Sequence, residues 1–205
     1  MQFLKLKKYL KDFIVFNLND IRKIEANFDL RRLNEWQNKK YIKLIRRGYY
    51  VFSDLELNES VLFLIANKIY SPSYISLEMA LSYYNLIPES VYGITSVTSQ
   101  KPKVFKKILG EFIYRHVKPE LMFGYKLVGY KNHNYKIAEI EKALLDYFYL
   151  NSHLNNEKDF LELRFNKDEF TSIADEDKLA NYLEVFSNKS LDRRMKKFLK
   201  YIRNA

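Results

Sequence analysis

Between Phe3 and Phe16 the apolar residues Phe3, Leu4, Leu6, Tyr9, Leu10, Phe13 and Ile14 recur at intervals of three and four, the period of a helix that buries one face. A first helix is predicted there. Asn19-Asp20 can cap a short second helix from Ile21 to Glu25, and Asp29 can cap a third running to about Lys40 after a tight Ala26-Asn27-Phe28 turn. In the third helix Leu30, Leu33 and Trp36 fall toward one side, whereas Arg31, Arg32, Glu35, Asn38 and Lys39 point away from it. Tyr41-Ile42-Lys43-Leu44-Ile45 and Tyr49-Tyr50-Val51-Phe52 are rich in β-formers and flank Arg46-Arg47-Gly48. They predict a β-hairpin with Gly48 at the turn position that needs positive φ.

Asn58 to Tyr70 repeats the helical pattern, with Val61, Leu62, Leu64, Ile65 and Ile69 as its buried side and Asn58 as its cap, and Ser71-Pro72-Ser73 breaks it. Ser76 can cap a helix from Leu77 to about Tyr84, ended before Pro88. The pattern then changes to alternation. Val91 to Ser99, Lys103 to Lys106, Glu111 to Lys118 and Leu121 to Tyr130 are predicted as strands of one sheet, with at least one face solvated or only partly covered. Ala138 to Leu150 is a helix with Ile140, Ala143, Leu144, Tyr147 and Phe148 on one side, and two or three helices follow Asp175. The expected fold class is α+β: a helix-turn-helix unit with a hairpin over residues 1–55, then an α+β domain with a mainly antiparallel sheet and C-terminal helices over residues 56–205.

Charge sharpens this division. The 205 residues carry 35 Lys and Arg against 25 Asp and Glu, a net +10. Residues 1–53 hold +8, residues 54–188 hold −4 and residues 189–205 hold +6. Two basic ends around a mildly acidic middle suggest a nucleic-acid module joined to a different domain. Three helices followed by a basic hairpin is the order of a winged helix-turn-helix, whose third helix enters the major groove while the wing touches the backbone or minor groove. Arg can give two donors to guanine O6 and N7 and Asn can pair with adenine, while Lys43, Arg46 and Arg47 would neutralise phosphates without reading sequence. The DNA-binding candidates are therefore Arg31, Arg32, Glu35, Asn38 and Lys39 on the third helix, and Lys43, Arg46, Arg47 and Tyr49 on the hairpin. Winged helices also serve as protein-contact modules, so an adaptor that binds a partner protein through this unit and the sheet is the competing reading.

Other chemistries find little support. The chain has no Cys, which removes disulfides, thiolate metal sites and cysteine nucleophiles, and its five Gly make a glycine-rich phosphate loop unexpected. His116, His133 and His153 occur singly, without an i, i+4 partner, and are expected to be surface or hydrogen-bonded residues. Ser76, Ser82 and Ser96 lack a nucleophile elbow. Glu139, Glu141 and Asp146 with Lys142 invite comparison with Mg²⁺ nucleases, but the segment reads as a helix on which Glu141 and Lys142 diverge by about 100°. Glu139, Glu141 and Asp146 are expected to form the polar face of a packed helix. No catalytic residue, metal site or cofactor is assigned. The 17 Tyr are ascribed to packing and to codon bias rather than to base stacking. No run approaches the roughly 18 to 20 apolar residues of a membrane span, and Met1-Gln2-Phe3-Leu4-Lys5 lacks a signal-peptide layout, so a cytoplasmic protein with no membrane partner is expected.

Several blocks carry a family resemblance. Trp36-Gln37-Asn38-Lys39-Lys40-Tyr41-Ile42 leads into Arg46-Arg47-Gly48-Tyr49-Tyr50-Val51-Phe52. Ser71-Pro72-Ser73-Tyr74-Ile75-Ser76-Leu77-Glu78, Ala80-Leu81-Ser82-Tyr83-Tyr84, Leu86-Ile87-Pro88-Glu89, Ile94-Thr95-Ser96-Val97-Thr98 and Glu141-Lys142-Ala143-Leu144-Leu145-Asp146 follow. Over roughly residues 15–150 the chain resembles AbiEi-type antitoxins and related transcriptional regulators. The resemblance implies a winged-helix repressor that binds inverted repeats in its own promoter, possible dimers on DNA, and a C-terminal domain that counters a nucleotidyltransferase-like toxin without requiring a stable complex. It also implies DNA-binding roles for the Arg31-Arg32 pair and the Arg46-Arg47 wing. The basic terminal helix with Arg193, Arg194, Lys196, Lys197, Lys200 and Arg203 lies beyond the resemblance and is expected to be a solvated face, with DNA contact or dimerisation as alternatives.

Overall fold

The computed structural model of the chain describes residues 1–88 and 93–204. Val91, the expected start of a strand, and Glu89, the end of one family-like block, lie outside the described residues. The N-terminal part runs α1 (Phe3–Tyr9), β1 (Phe16–Asn17), α2 (Leu18–Arg22), α3 (Arg31–Asn38), β2 (Ile42–Arg46), β3 (Tyr49–Phe52), and its three strands form an antiparallel sheet in the order β1-β3-β2.

The helix expected over residues 3–16 ends at Tyr9, and by Phe16 the chain has become β1, with Val15 buried in the larger core and Phe16 in the core beneath the helices. The second helix also starts earlier than expected. Asn17 is its cap, accepting from the Asn19 and Asp20 amides at 2.8 and 3.1 Å, and the Asp20 carboxylate accepts from the Asn17 N–H at 2.9 Å. This reciprocal box puts Asn19-Asp20 inside the first turn. Asp29, the expected cap of the third helix, lies one residue before the cap position, which Leu30 occupies without a capping side chain, although the Asp29 carboxylate still accepts from the Arg31 amide at 2.9 Å. Lys40, with φ of 57°, turns the chain out of α3 into β2 while the Tyr41 N–H closes back on the Trp36 carbonyl at 2.9 Å.

The small sheet faces two cores. Phe16, Ile42 and Phe52 join Leu6, Leu10, Ile21, Phe28, Leu33 and Trp36 beneath the three helices. Val15, Ile45 and Val51 point the other way, into the larger core. That core begins with α4 (Glu59–Ile69), capped by Asn58, whose Oδ1 accepts from the Val61 amide at 3.0 Å. Leu62 and Leu64, expected inside, are only half-buried, and Phe63 and Ala66 take the interior positions with Val61, Ile65 and Ile69.

The second sheet contains β4 (Ser73–Ile75), β5 (Gly93–Thr98), β6 (Lys103–Lys107), β7 (Gly110–His116), β8 (Tyr125–Tyr130) and β9 (His133–Ala138), in the order β6-β7-β5-β4-β9-β8. Antiparallel pairing predominates, with parallel pairing at β4–β9 and β5–β7. Two strands escaped the sequence pattern. β4 is a fully buried three-residue strand directly after a Pro, and β9 runs into Ala138, where the helical pattern was expected to begin. The helices are α5 (Leu77–Tyr83), α6 (Ile140–Leu150), α7 (Glu157–Glu162), α8 (Lys167–Ile173), α9 (Glu176–Phe186) and α10 (Lys189–Asn204).

Register assigns the helices to faces. Tyr74 pairs with Val97 and Tyr114 with Ser96, so the two tyrosines emerge on opposite sides of the sheet. Tyr114 Oη donates to the Ala66 carbonyl of α4 at 2.7 Å, and Tyr74 Oη donates to Asp146 Oδ2 of α6 at 2.9 Å. The N-terminal part lies on the α4 side, where Arg46 reaches the Ile69 carbonyl. Helix α10 lies beyond α6 on the other side, with Phe148 and Phe198 ring centroids 4.7 Å apart.

The α6 carboxylates do not form a solvated polar face. Lys142 and Asp146 are fully buried and ion-paired, one helical turn apart. Asp146 also accepts from Ser76 Oγ at 2.8 Å, so Ser76 occupies the cap position of α5 without capping it. Thr95 Oγ1 takes over, accepting from the Met79 amide at 3.0 Å and donating to the Ser76 carbonyl at 2.8 Å. Lys142 Nζ donates to Tyr74 Oη at 2.8 Å and lies 4.8 Å from the Phe186 ring centroid and 5.1 Å from that of Phe123. Gly124 passes so close that an added Cβ would stand 2.9 Å from the Tyr182 ring and 3.1 Å from the Lys142 side chain, which explains a glycine there. Glu141 is buried too and accepts from the Asp175 amide at 2.9 Å, while Glu139 pairs with Lys178 at 2.9 Å.

Candidate nucleic-acid interface

Helix α3 is positioned by its apolar side. Leu33 and Trp36 are buried, and Trp36 meets Phe3 and Phe28 with centroids 5.6 Å from each. The opposite side exposes Arg31, Asn34, Glu35 and Asn38 at spacings i, i+3, i+4 and i+7, one stripe along the helix. Asn34 was not among the expected residues, although the same periodicity that selected Arg31 and Asn38 places it between them.

The structure separates the expected site residues. Arg31, Glu35, Asn38 and Lys39 are exposed on α3, and Arg47 is exposed at the hairpin turn, where Gly48 adopts φ of 84°. Lys43 is half-buried on β2. Among the described residues no side-chain partner engages the guanidinium of Arg31 or Arg47. Glu35 and Lys39 neutralise one another at 2.6 Å, and the Lys39 hydrogen bond holds the Glu35 carboxyl below its ordinary pKa. Arg32 is turned away from the stripe and donates to the Met1 carbonyl.

Arg46 does something other than meet phosphate. It donates to the Ile69 carbonyl at the end of α4, and its guanidinium lies 5.1 Å from the Phe105 centroid, 5.3 Å from that of Tyr70 and 5.5 Å from that of Tyr49. Arg46 and Tyr49 thus fasten the hairpin to the large sheet. The sequence presents Arg46 and Arg47 as an adjacent basic pair, but Arg46 is the last residue of β2, held in the seam by Ile69, Tyr70 and Phe105, whereas Arg47 begins the hairpin turn and is exposed. Arg46→Ala is expected to lower stability by about 1–3 kcal/mol, since it strips a partner from a part-buried carbonyl and a cation from three rings. Arg47→Ala should leave stability within about 0.5 kcal/mol and lower the salt slope of DNA binding by about one. Parallel urea melts and DNA titrations check this, and equal stability of the two variants would contradict it.

The histidines are tied to main chain, His116 Nδ1 2.9 Å from the Gln100 carbonyl and His133 Nε2 2.6 Å from the Asp12 carbonyl, while His153 is exposed. Among the described residues no three His, Asp or Glu converge as they would around a metal ion, and no helix is long and apolar enough to cross a membrane. The arrangement offers a stripe of hydrogen-bonding side chains on α3 with Arg31 at its N-terminal end, and a second exposed cation, Arg47, on the hairpin turn. No protein-family model matches the chain, and comparison with curated proteins finds no match.

Proposed function

We propose that the protein is a sequence-specific DNA-binding autorepressor whose N-terminal part is a winged helix-turn-helix. The observation that carries this reading is the exposed Arg31–Asn34–Glu35–Asn38 stripe on a helix clamped from behind by Leu33 and Trp36. The order α1-β1-α2-α3-β2-β3 and the sheet order β1-β3-β2 support it, as does a glycine turn that carries Arg47 where a wing would be. Arg31 would serve guanine O6 and N7 and the two asparagines adenine N6 and N7, with Arg47 and Lys43 on phosphates. Arg32 and Arg46, held by main-chain carbonyls, drop out of this role.

The residue blocks shared with AbiEi-type regulators extend the proposal. The protein is then the antitoxin of an AbiE-like type IV toxin–antitoxin system in the cytoplasm, repressing its own operon through inverted repeats and opposing a nucleotidyltransferase-like toxin through the second, α+β part. No catalytic step, cofactor or metal enters this function. Nuclease footprinting of the DNA upstream of the gene tests it: two protected half-sites should lie with centres about one helical turn of 10–10.5 bp, or a multiple of it, apart. An unprotected upstream region would remove the repressor reading.

A further inference from the structure

Helix α10 carries a second basic surface. Lys189, Arg193, Lys196, Lys197, Lys200 and Arg203 are all exposed and, at 100° per residue, fall within a stripe of about 120° that extends roughly 21 Å along the helix. Arg194, expected among these cations, does not belong to them. It is buried and donates to the Phe148 carbonyl at 2.6 Å, pinning α10 to the end of α6. Within the stripe Lys196 pairs with Asp192 at 2.9 Å and Arg203 with Glu176 at 2.7 Å, and Lys197 Nζ donates to Asn155 Oδ1 at 3.2 Å. Among the described residues Lys189, Arg193 and Lys200 have no anionic partner. Their spacing of four and seven residues makes an open ladder of cations, about 6 and 10 Å apart along the axis.

The back of α10 decides what such a ladder can meet. Leu191, Met195 and Phe198 are fully buried against α6 and α7, so the helix has no free apolar side to sink into a lipid interface. A repeating polyanion needs only the cations. Position adds a second constraint: α10 lies on the α6 side of the large sheet, and α3 with the Arg47 turn lies on the α4 side. A straight duplex held by α3 cannot also run along α10 of the same molecule.

We propose that the α10 stripe is a separate binding surface for the phosphate backbone of duplex DNA, indifferent to base sequence, which lets one protein molecule hold a second DNA segment. The bridging rests on the DNA-reading role of α3, whereas the α10 contact does not. The test uses the full-length protein. A bead-tethered duplex of the gene's upstream DNA is loaded with protein and asked to capture a fluorescent random-sequence 25-bp duplex, and direct binding of that random duplex is titrated separately. The wild type should capture it. The K189Q/R193Q/K200Q variant should lose at least tenfold in capture and lower the salt slope of random-duplex binding by about 3, while it retains selective binding of the upstream duplex and its urea midpoint.

An R31A/N38A variant separates the two claims. If it loses upstream selectivity but still binds random duplex through the α10 cations, the α10 surface stands. If neither wild type nor R31A/N38A shows upstream selectivity, yet K189Q/R193Q/K200Q weakens random-duplex binding, the α3 reading fails and the α10 surface stands. Unchanged capture and an unchanged salt slope in K189Q/R193Q/K200Q would overturn the proposal and leave the stripe to an acidic protein or to water.

Discussion

Lys142→Ala is expected to destabilise the protein by about 3–5 kcal/mol, because it leaves the Asp146 carboxylate buried with no counter-charge. The pair sits in the centre of the α6 side of the sheet, with both side chains fully inaccessible. Burial pushes the Asp146 carboxyl up against the opposing pull of Lys142, and burial likewise pushes the Lys142 ammonium down. Removing Lys142 takes away the ammonium that favours an ionised Asp146, so the folded-state pKa of Asp146 rises further above the unfolded value of about 3.9. A carboxyl raised in the folded state favours folding below its unfolded pKa and loses that contribution as pH climbs through the folded pKa. The defect of Lys142→Ala should therefore be larger at pH 7 than near pH 4. Replacing Lys142 by Met and Asp146 by Leu, together with Tyr74→Phe and Ser76→Ala, removes the whole hydrogen-bonded set and should recover most of the loss. Urea unfolding across pH measures each variant, and a pH-independent loss below about 1 kcal/mol for Lys142→Ala would show that the pair does not carry the charge described.

The second large effect is on DNA. Arg31→Ala and Asn38→Ala should each cost about 1–3 kcal/mol of discrimination between operator and random duplex, a factor of roughly 5 to 150. The two residues stand seven positions apart on α3, about 10 Å along the axis, and share no partner, so the double variant should lose close to the sum. Asn38→Ala should leave random-duplex affinity unchanged, because no charge is lost. Arg31→Ala should lower it slightly and reduce the salt slope by at most one. Stability should move little, since neither side chain packs against the core. Parallel titrations on operator and random duplex check this, and equal losses on both would remove base reading by α3.

Much of the fold can be read from the chain where one physical signal decides the outcome. The hairpin around Gly48 and the α4 cap at Asn58 are local choices, set by positive φ and by an unpaired amide. The errors fall where a residue serves two masters. Ile14-Val15-Phe16 continues a helical period, yet Val15 is buried in one core and Phe16, at the start of β1, in the other. Ser73-Tyr74-Ile75 carries no alternation because β4 is buried on both sides. Glu141 and Asp146, expected on a polar face, are buried instead, because an i, i+4 pair such as Lys142 and Asp146 looks the same in sequence whether water or a sheet covers it. The candidate interface was half visible. Helical period finds the α3 stripe, including Asn34, but which of Arg46 and Arg47 is free depends on Ile69, Tyr70 and Phe105, more than 20 residues away.

Operator reading by α3 is decided by a gel-shift titration on the DNA upstream of the protein's own gene, with random duplex as competitor, at two salt concentrations. A shifted complex that survives excess random competitor and weakens as salt rises is expected. Complexes that random duplex displaces as readily as unlabelled upstream DNA would contradict it.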